Sequence, residues 1–419
     1  MLSWLLNAWR VPELRRRILF TAVVLAVYRF GSWIPAPGVN QSALTQFFGG
    51  AGGSGVFGLL NLFSGSALSR FSLFAVGIQA YVTASIILQV LTAVVPSLER
   101  LQKEGEAGYA KITQYSRYLT VVLAAAQATA YAFLFKHYNA LPNLNPGRLI
   151  IIVLTLTAGA TLLMWLGEQI TKRGIGNGIS LLIFASILAY APTGISSWIN
   201  GGTTERLFFP LVAIAVVVAV VFVQEGQRRI PVQYARRMLG NRQTTGGSTY
   251  MPLGLLMAGV IPVIFAIAPL SAAQTVASFR PSWSAWLQTN FGYTSWKYLL
   301  AQAVLIVVFT YFYTSVVFNP VDQADNLRKN NGYIPGIRPG PPTAAYLDRV
   351  LQRLTLPGSL FLALVAVAPS LFISYFHFSQ NTARALGGTS VLIAVGVALQ
   401  TMRQMESQMM MRHYEGFLR

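Results

Sequence analysis

Apolar stretches of near-bilayer length recur along the whole of this 419-residue chain, and nothing else in it restricts the fold so tightly. A run of about 18 or more apolar residues reads as a membrane helix, because in hydrocarbon every backbone polar group must be satisfied within the segment. The runs predict spans at 18–34, 71–95, 115–135, 149–171, 179–199, 207–223, 252–273, 296–318, 351–374 and 386–403. Hydrophobic residues make up 54% of the chain and charged residues only 10%. A soluble globule carries about 25% charged residues, so the length does not translate into two or three soluble domains. The expected class is an all-α polytopic membrane protein of ten transmembrane helices, with both termini on one side.

Charge placement selects that side. The net charge is +19, a balance that in a soluble protein would invite a nucleic-acid reading. Here the basic residues lie in the connections. With cytosolic termini, only Arg29, Arg70, Lys136, Arg148, Arg206, Arg280, Lys297 and Arg384 fall toward the outer side, and the other 23 of the 31 Lys and Arg residues are inner. That asymmetry matches the positive-inside rule. Glu205 is the only acid placed outside. The arginines of MLSWLLNAWRVPELRRR precede an apolar run without a small-residue cleavage motif, so the first span is expected to be retained. Two large inner loops, 224–251 and 319–349, are rich in Arg and Gly. Topogenic charge explains the arginines but not the loop lengths, which suggest a cytosolic partner.

The chemistry of competing classes is missing. Ionisable groups at mid-bilayer are costly and mark transport relays. No aspartate falls inside a predicted span, and Glu168, Arg117, Lys297 and Arg353 lie near span ends, within reach of the interface. That argues against a proton-coupled transporter. His137, His377 and His413 lack ligand or catalytic spacing, which argues against an intramembrane enzyme. The absence of cysteine excludes disulfides and thiolate metal sites. Gly174-Ile-Gly-Asn-Gly178 superficially resembles a phosphate loop, but it follows a membrane run and lacks the Lys-Ser/Thr ending. It reads as a tight turn whose glycines supply positive φ. No cofactor is implied.

Residues 58–70, GLLNLFSGSALSR, are too short to cross a bilayer and run directly into the second apolar stretch. Two readings are open with equal weight. One is a plug-like piece in a central cavity, since short membrane-inserted segments must be buried in protein or line water. The other is an interfacial helix on the outer surface.

Motifs across nearly the whole chain resemble the SecY family, the channel subunit of protein translocons. They are YRFGSWIPAPGV (28–39), NLFSGSALSRFSLFAVGI (61–78), YVTASIILQVLT (81–92), KEGEAGYAKITQYSRY (103–118), GIGNGISLLIFASI (174–187), RRIPVQYARR (228–237), AGVIPVIFA (258–266), NGYIPGIRPGPPT (331–343), GGTSVLIAVGVALQ (387–400) and ESQMMMRHYEGFL (406–418). The chain has Gly65-Ser66 where the family commonly has Gly-Gly, and Gln79-Ala80 where it commonly has Met-Pro.

The resemblance implies two inverted five-helix halves, 1–199 and 207–419, around a central pore and joined by a hinge loop at 200–206. The helices at 71–95 and 252–273 would wall a lateral gate. The pore ring would be Val82, Ile86, Ile183, Ile187, Ile264 and Ile393, although aliphatic i, i+4 pairs taken alone are ordinary helix packing. The plug would comprise Asn61, Leu62, Phe63, Ser64, Gly65, Ser66, Ala67, Leu68 and Arg70, within 58–70. Arg228, Arg229, Arg236, Arg237 and Arg338 would dock cytosolic partners. The implied function is a passive protein-conducting channel for signal-dependent secretion across, and lateral insertion into, the bacterial cytoplasmic membrane, driven by a partner ATPase or ribosome. The implied partners are SecE-type and SecG-type subunits, the SecA motor, the ribosome, secretory and membrane-protein substrates, and the lipid bilayer.

Overall fold

The computed structural model describes residues 11–49, 56–142, 144–234, 238–239, 242–243, 248–277, 286, 295–376 and 388–417. Each of the ten predicted stretches is occupied by a helix. In chain order the helices are α1 (Pro12–Gly31), α2 (Gln41–Gly49), α3 (Val56–Phe63), α4 (Gln79–Val94), α5 (Pro96–Lys103), α6 (Glu106–His137), α7 (Pro146–Arg173), α8 (Gly178–Ile199), α9 (Thr203–Glu225), α10 (Ile261–Ala277), α11 (Trp296–Val317), α12 (Pro320–Lys329), α13 (Pro341–Phe376) and α14 (Gly388–Phe417). Six helices among the described residues are long and apolar enough to cross a membrane, and the bent pair α4–α5 makes a seventh. The remaining predicted stretches lie in α1, α10 and α14.

Local chemistry sets several boundaries. Proline occupies the first turn of α1, α5, α7 and α12, where its missing N–H costs nothing. The α4–α5 junction bends by 99°. Val95 there is extended, at φ −96° and ψ 111°, because Pro96 disfavours the helical conformation of the residue before it. Asn177 caps α8, its side chain accepting from the N–H groups of Ile179 and Ser180.

Two predicted spans begin later than expected. The second starts at Gln79 rather than 71, because Phe71 and Gly77 have positive φ (46° and 63°) and the intervening chain folds into turns. Ser72 forms an isolated antiparallel bridge with Pro35 instead. The seventh starts at Ile261 rather than 252, because residues up to Gly254 belong to a strand.

That strand is part of a small sheet which the all-α expectation did not contain. β1 (Gln227–Tyr234) lies between β2 (Ser248–Gly254) and β3 (Gly332–Tyr333), antiparallel to both. Its pairings run from Gln227 opposite Gly254 to Gln233 opposite Ser248, and Gln233 also faces Tyr333. Pro231 is tolerated because β3 pairs only with residues 233 and 234, so Pro231's missing N–H breaks no ladder there. Ile230 and Val232 turn inward onto Leu253, Phe318, Leu327, Ile334, Leu347 and Leu351. The described parts of 224–251 and 319–349 therefore share one hydrophobic core.

Among the helices, α6 packs against α4 and α7, α11 against α10 and α13, and α14 against α8, α9 and α13. α10 reaches back across the molecule to α3, α4 and α6. The two helices expected to wall a gate are thus in contact.

Candidate functional site

Val82 and Ile86 lie one turn apart on α4, Ile183 and Ile187 one turn apart on α8, Ile264 on α10 and Ile393 on α14. All six are buried, each between 0 and 7% exposed, and belong to the large hydrophobic core that most of the helices share, in which α8 packs against α14 and α4 against α10. None of the six faces the outer surface, where Leu211, Ile214 and Phe222 of α9 are more than 60% exposed.

The 58–70 segment joins the same cluster through Leu60, Leu62, Phe63, Ala67 and Leu68. Its helical part, α3, packs against α8 and α10. The helix ends at Phe63, and the chain then turns at Gly65 (φ 64°) and Ser66 (φ 68°). Ser66 stands where the family commonly has a second glycine, so a residue with a Cβ holds a left-handed conformation that costs it about 1 kcal/mol. Asn61 and Ser64 knit the segment internally: Ser69 N–H donates to Asn61 Oδ1 (2.8 Å) and Leu68 N–H to Ser64 Oγ (3.1 Å). Burial in this cluster is not the arrangement of an interfacial helix on the outer surface.

Contacts from α1 hold the segment from the side. Tyr28 Oη donates to the Ser64 carbonyl (3.1 Å) and lies 2.6 Å from Ser186 Oγ of α8. Arg29 donates to the Gly65 carbonyl (2.8 Å). The Arg70 guanidinium lies 3.7 Å from the centre of the Trp33 ring. Sequence reasoning singled out neither Tyr28 nor Ser186. The available signal was a hydroxyl inside an otherwise apolar run.

A cleft of about 950 Å³ is lined among others by Tyr81, Glu106, Tyr109, Arg117, Glu168 and Lys172. Arg117 and Glu168, expected near the ends of their spans, form a bidentate pair at 2.8 and 2.7 Å that ties α6 to α7. Such a pair satisfies the half-buried Glu168 carboxylate while the Arg117 side chain stays partly open to solvent.

On the sheet-bearing face, Arg228 and Arg229 of β1 are exposed. Arg236 and Arg237 lie outside the described residues. Arg338 is exposed between Gly336 (φ 81°) and Gly340 (φ 105°), and its carbonyl accepts from Thr343 Oγ1 at 2.8 Å. The two left-handed glycines fold the turn that presents it.

The sequence model of the SecY family matches residues 72–402. The chain belongs to the SecY family. It is 47% identical to the protein translocase subunit SecY of Streptomyces galbus and 45% identical to that of Mycobacterium tuberculosis (strain ATCC 25618 / H37Rv), in each case over 100% of both chains. Its fold is similar to that of a solved protein-conducting channel, with a TM-score of 0.61 at 19% identity. It is also similar to a solved SecY in which the plug domain stabilises the closed state of the translocation channel and maintains a membrane seal, with a TM-score of 0.63 at 20% identity. Both comparisons cover 96% of each chain. Sec61 in a canine ribosome–channel complex matches over the same share with a TM-score of 0.59 at 18% identity. This chain is therefore a multi-pass membrane protein and a protein translocase subunit with the fold of a protein-conducting channel.

Proposed function

We propose that this chain forms the channel of a translocase in the bacterial cytoplasmic membrane, with both termini cytosolic. Val82, Ile86, Ile183, Ile187, Ile264 and Ile393 form its constriction. The observations that support this reading are the burial of all six in the shared core, the packing of α8 on α14 and of α4 on α10, and the burial of the 58–70 segment in the same core against α8 and α10. Aliphatic side chains make a dewetted collar that resists ions. They part without breaking a specific hydrogen bond, so an unfolded chain of any sequence can pass.

The segment at 58–70 plugs the resting channel, α4 and α10 wall the lateral gate, and residues 200–206 hinge the halves 1–199 and 207–419. An apolar signal segment gains a few tenths of a kcal/mol per residue on reaching lipid, several kcal/mol in all. This biases the gate because the signal binds the open form better. The channel is passive, and a SecA-type ATPase or a ribosome supplies the energy. SecE-type and SecG-type subunits complete the assembly. The ribosome complex of the structurally similar Sec61 supports the ribosome as a partner.

A secretory chain stalled in transit tests the constriction, using single cysteines placed at Val82 and Ile393 of this cysteine-free chain. Both positions are expected to crosslink to the stalled chain, and a cysteine at lipid-facing Leu211 is not. Equal yields at all three would refute the assignment.

Together, 224–251 and 319–349 are the docking platform for the motor. Reversing one interfacial charge costs about 2–5 kcal/mol when its partner is buried against it. Arg338→Glu is therefore expected to lower motor-driven export by about tenfold or more, on the scale of 1.4 kcal/mol per tenfold, with unchanged amounts of the subunit in the membrane. Normal export in that variant would remove Arg338 from the docking surface.

A further inference from the structure

We propose that Tyr28 and Ser186 form a two-state hydroxyl latch for the plug, so that the first helix helps set how readily the plug leaves its seat. The proposal rests on reading 58–70 as a plug.

The plug's bonds through Asn61 and the Ser64 side chain are internal and travel with it. Among the side-chain hydrogen bonds that tie it to the rest of the described structure are Arg29 Nη1 to the Gly65 carbonyl, Gln41 Nε2 to the Arg70 carbonyl, and Tyr28 Oη to the Ser64 carbonyl. The Arg29 bond is only partly buried and the Gln41 bond is exposed, so water can replace both. The Tyr28 bond is buried. The seat fits closely there: a Cβ added at Gly65 would lie 3.1 Å from Tyr28 Oη and 3.3 Å from Ser186 Cα.

Each hydroxyl has one proton, and the geometry offers two ways to place the pair. Ser186 Oγ lies 2.6 Å from Tyr28 Oη and 2.8 Å from the Leu182 carbonyl of its own helix. With the plug seated, Ser186 donates to Tyr28 and Tyr28 donates to the Ser64 carbonyl. With the plug gone, Tyr28 donates to Ser186 and Ser186 donates to the Leu182 carbonyl. Both protons are bonded in both states. Departure therefore strands no buried donor at the seat, and the released plug carbonyls are hydrated. A seat whose donor had no second acceptor would leave a buried N–H or O–H unsatisfied whenever the channel opened, which is the costly arrangement.

The two residues consequently have opposite effects. Tyr28→Phe removes the bond made only in the seated state and loosens the plug. Ser186→Ala removes the acceptor that Tyr28 needs after departure and tightens it. The test uses the full chain in the assembled translocase, with Ala67→Cys as the sole thiol. Ala67 is fully buried and the chain has no other cysteine. The readout is the rate of labelling by a membrane-impermeant maleimide applied from the plug side. Tyr28→Phe is expected to raise the rate about two- to tenfold, the range one net hydrogen bond supports, and Ser186→Ala to lower it by a similar factor. A merely structural role would raise it in both. Rates that move in the same direction, or that stay unchanged in either variant, overturn the latch.

Deleting residues 58–68 separates this from the reading beneath it. If deletion raises resting ion conductance while Tyr28→Phe leaves labelling unchanged, the plug stands and the latch falls. If deletion leaves conductance unchanged, the plug assignment itself fails.

Discussion

Ile187→Asn is expected to raise the ion conductance of the resting translocase by about tenfold and to permit export of proteins with defective signal segments. Ile187 is 4% exposed and belongs to the same buried core as the other five proposed collar residues and the proposed plug. An amide placed there has no partner supplied by an aliphatic collar, and a buried unsatisfied polar group costs about 1–3 kcal/mol. That cost is relieved when water enters, so the wet, open state gains relative to the dry, closed one. A change of 1.4 kcal/mol moves the ratio of the two states tenfold. Ile86→Asn, on α4, is expected to act in the same direction. Current across a planar bilayer containing the purified complex reports the leak, and secretion of a reporter with a weakened signal reports the relaxed gate. Wild-type values in both assays for both variants would leave these isoleucines as ordinary packing.

Gly178→Val is expected to leave little folded subunit in the membrane. A Cβ at Gly178 would overlap the backbone carbonyl of Gly167 on α7 and approach Ile170 Cβ to 2.9 Å. Neither neighbour is the movable end of a side chain, so the first turn of α8 would have to shift. That turn is fixed by the Asn177 cap and by Gly178 N–H donating to Thr171 Oγ1 at 2.9 Å. Forcing a larger residue into such a contact costs about 1–3 kcal/mol where side chains can adjust, and more against backbone. We expect about 3 kcal/mol or more, enough to lower accumulation several-fold, because proteins are only marginally stable. Gly202→Ala is the control, since nothing lies within 4 Å of a Cβ there. Membrane abundance and thermal unfolding in detergent give the readout. Normal abundance of Gly178→Val would mean that α7 and α8 do not approach as closely as the geometry requires.

The same glycine loop shows where the sequence reading was incomplete. The motif Gly174-Ile-Gly-Asn-Gly178 was expected to use its glycines for positive φ. Only Gly176 does so, at 77°. Gly174 is extended, and a Cβ there would lie 2.5 Å from Thr21 Oγ1 of α1. Space, not conformation, requires glycine at 174 and 178, and space is a property of neighbours that the motif does not contain.

The bilayer imposes a one-dimensional demand, a long apolar run per crossing, and a linear sequence displays that directly. The positions of the apolar helices, the placement of charge in the connections and the family motifs were therefore readable from the residues alone. Pro96 likewise announced the end of α4, because its effect on Val95 is local. What required the tertiary structure was every feature made by residues far apart in the chain. RRIPVQY reads as a basic loop containing proline, and it becomes a strand only because 248–254 and 332–333 pair with it and Ile230 and Val232 find a shared core. The turns at Phe71 and Gly77 interrupt a stretch whose composition suits a continuous helix. The contact of Tyr28 with Ser64 and Ser186 spans 158 residues, and no periodicity or local spacing marks it.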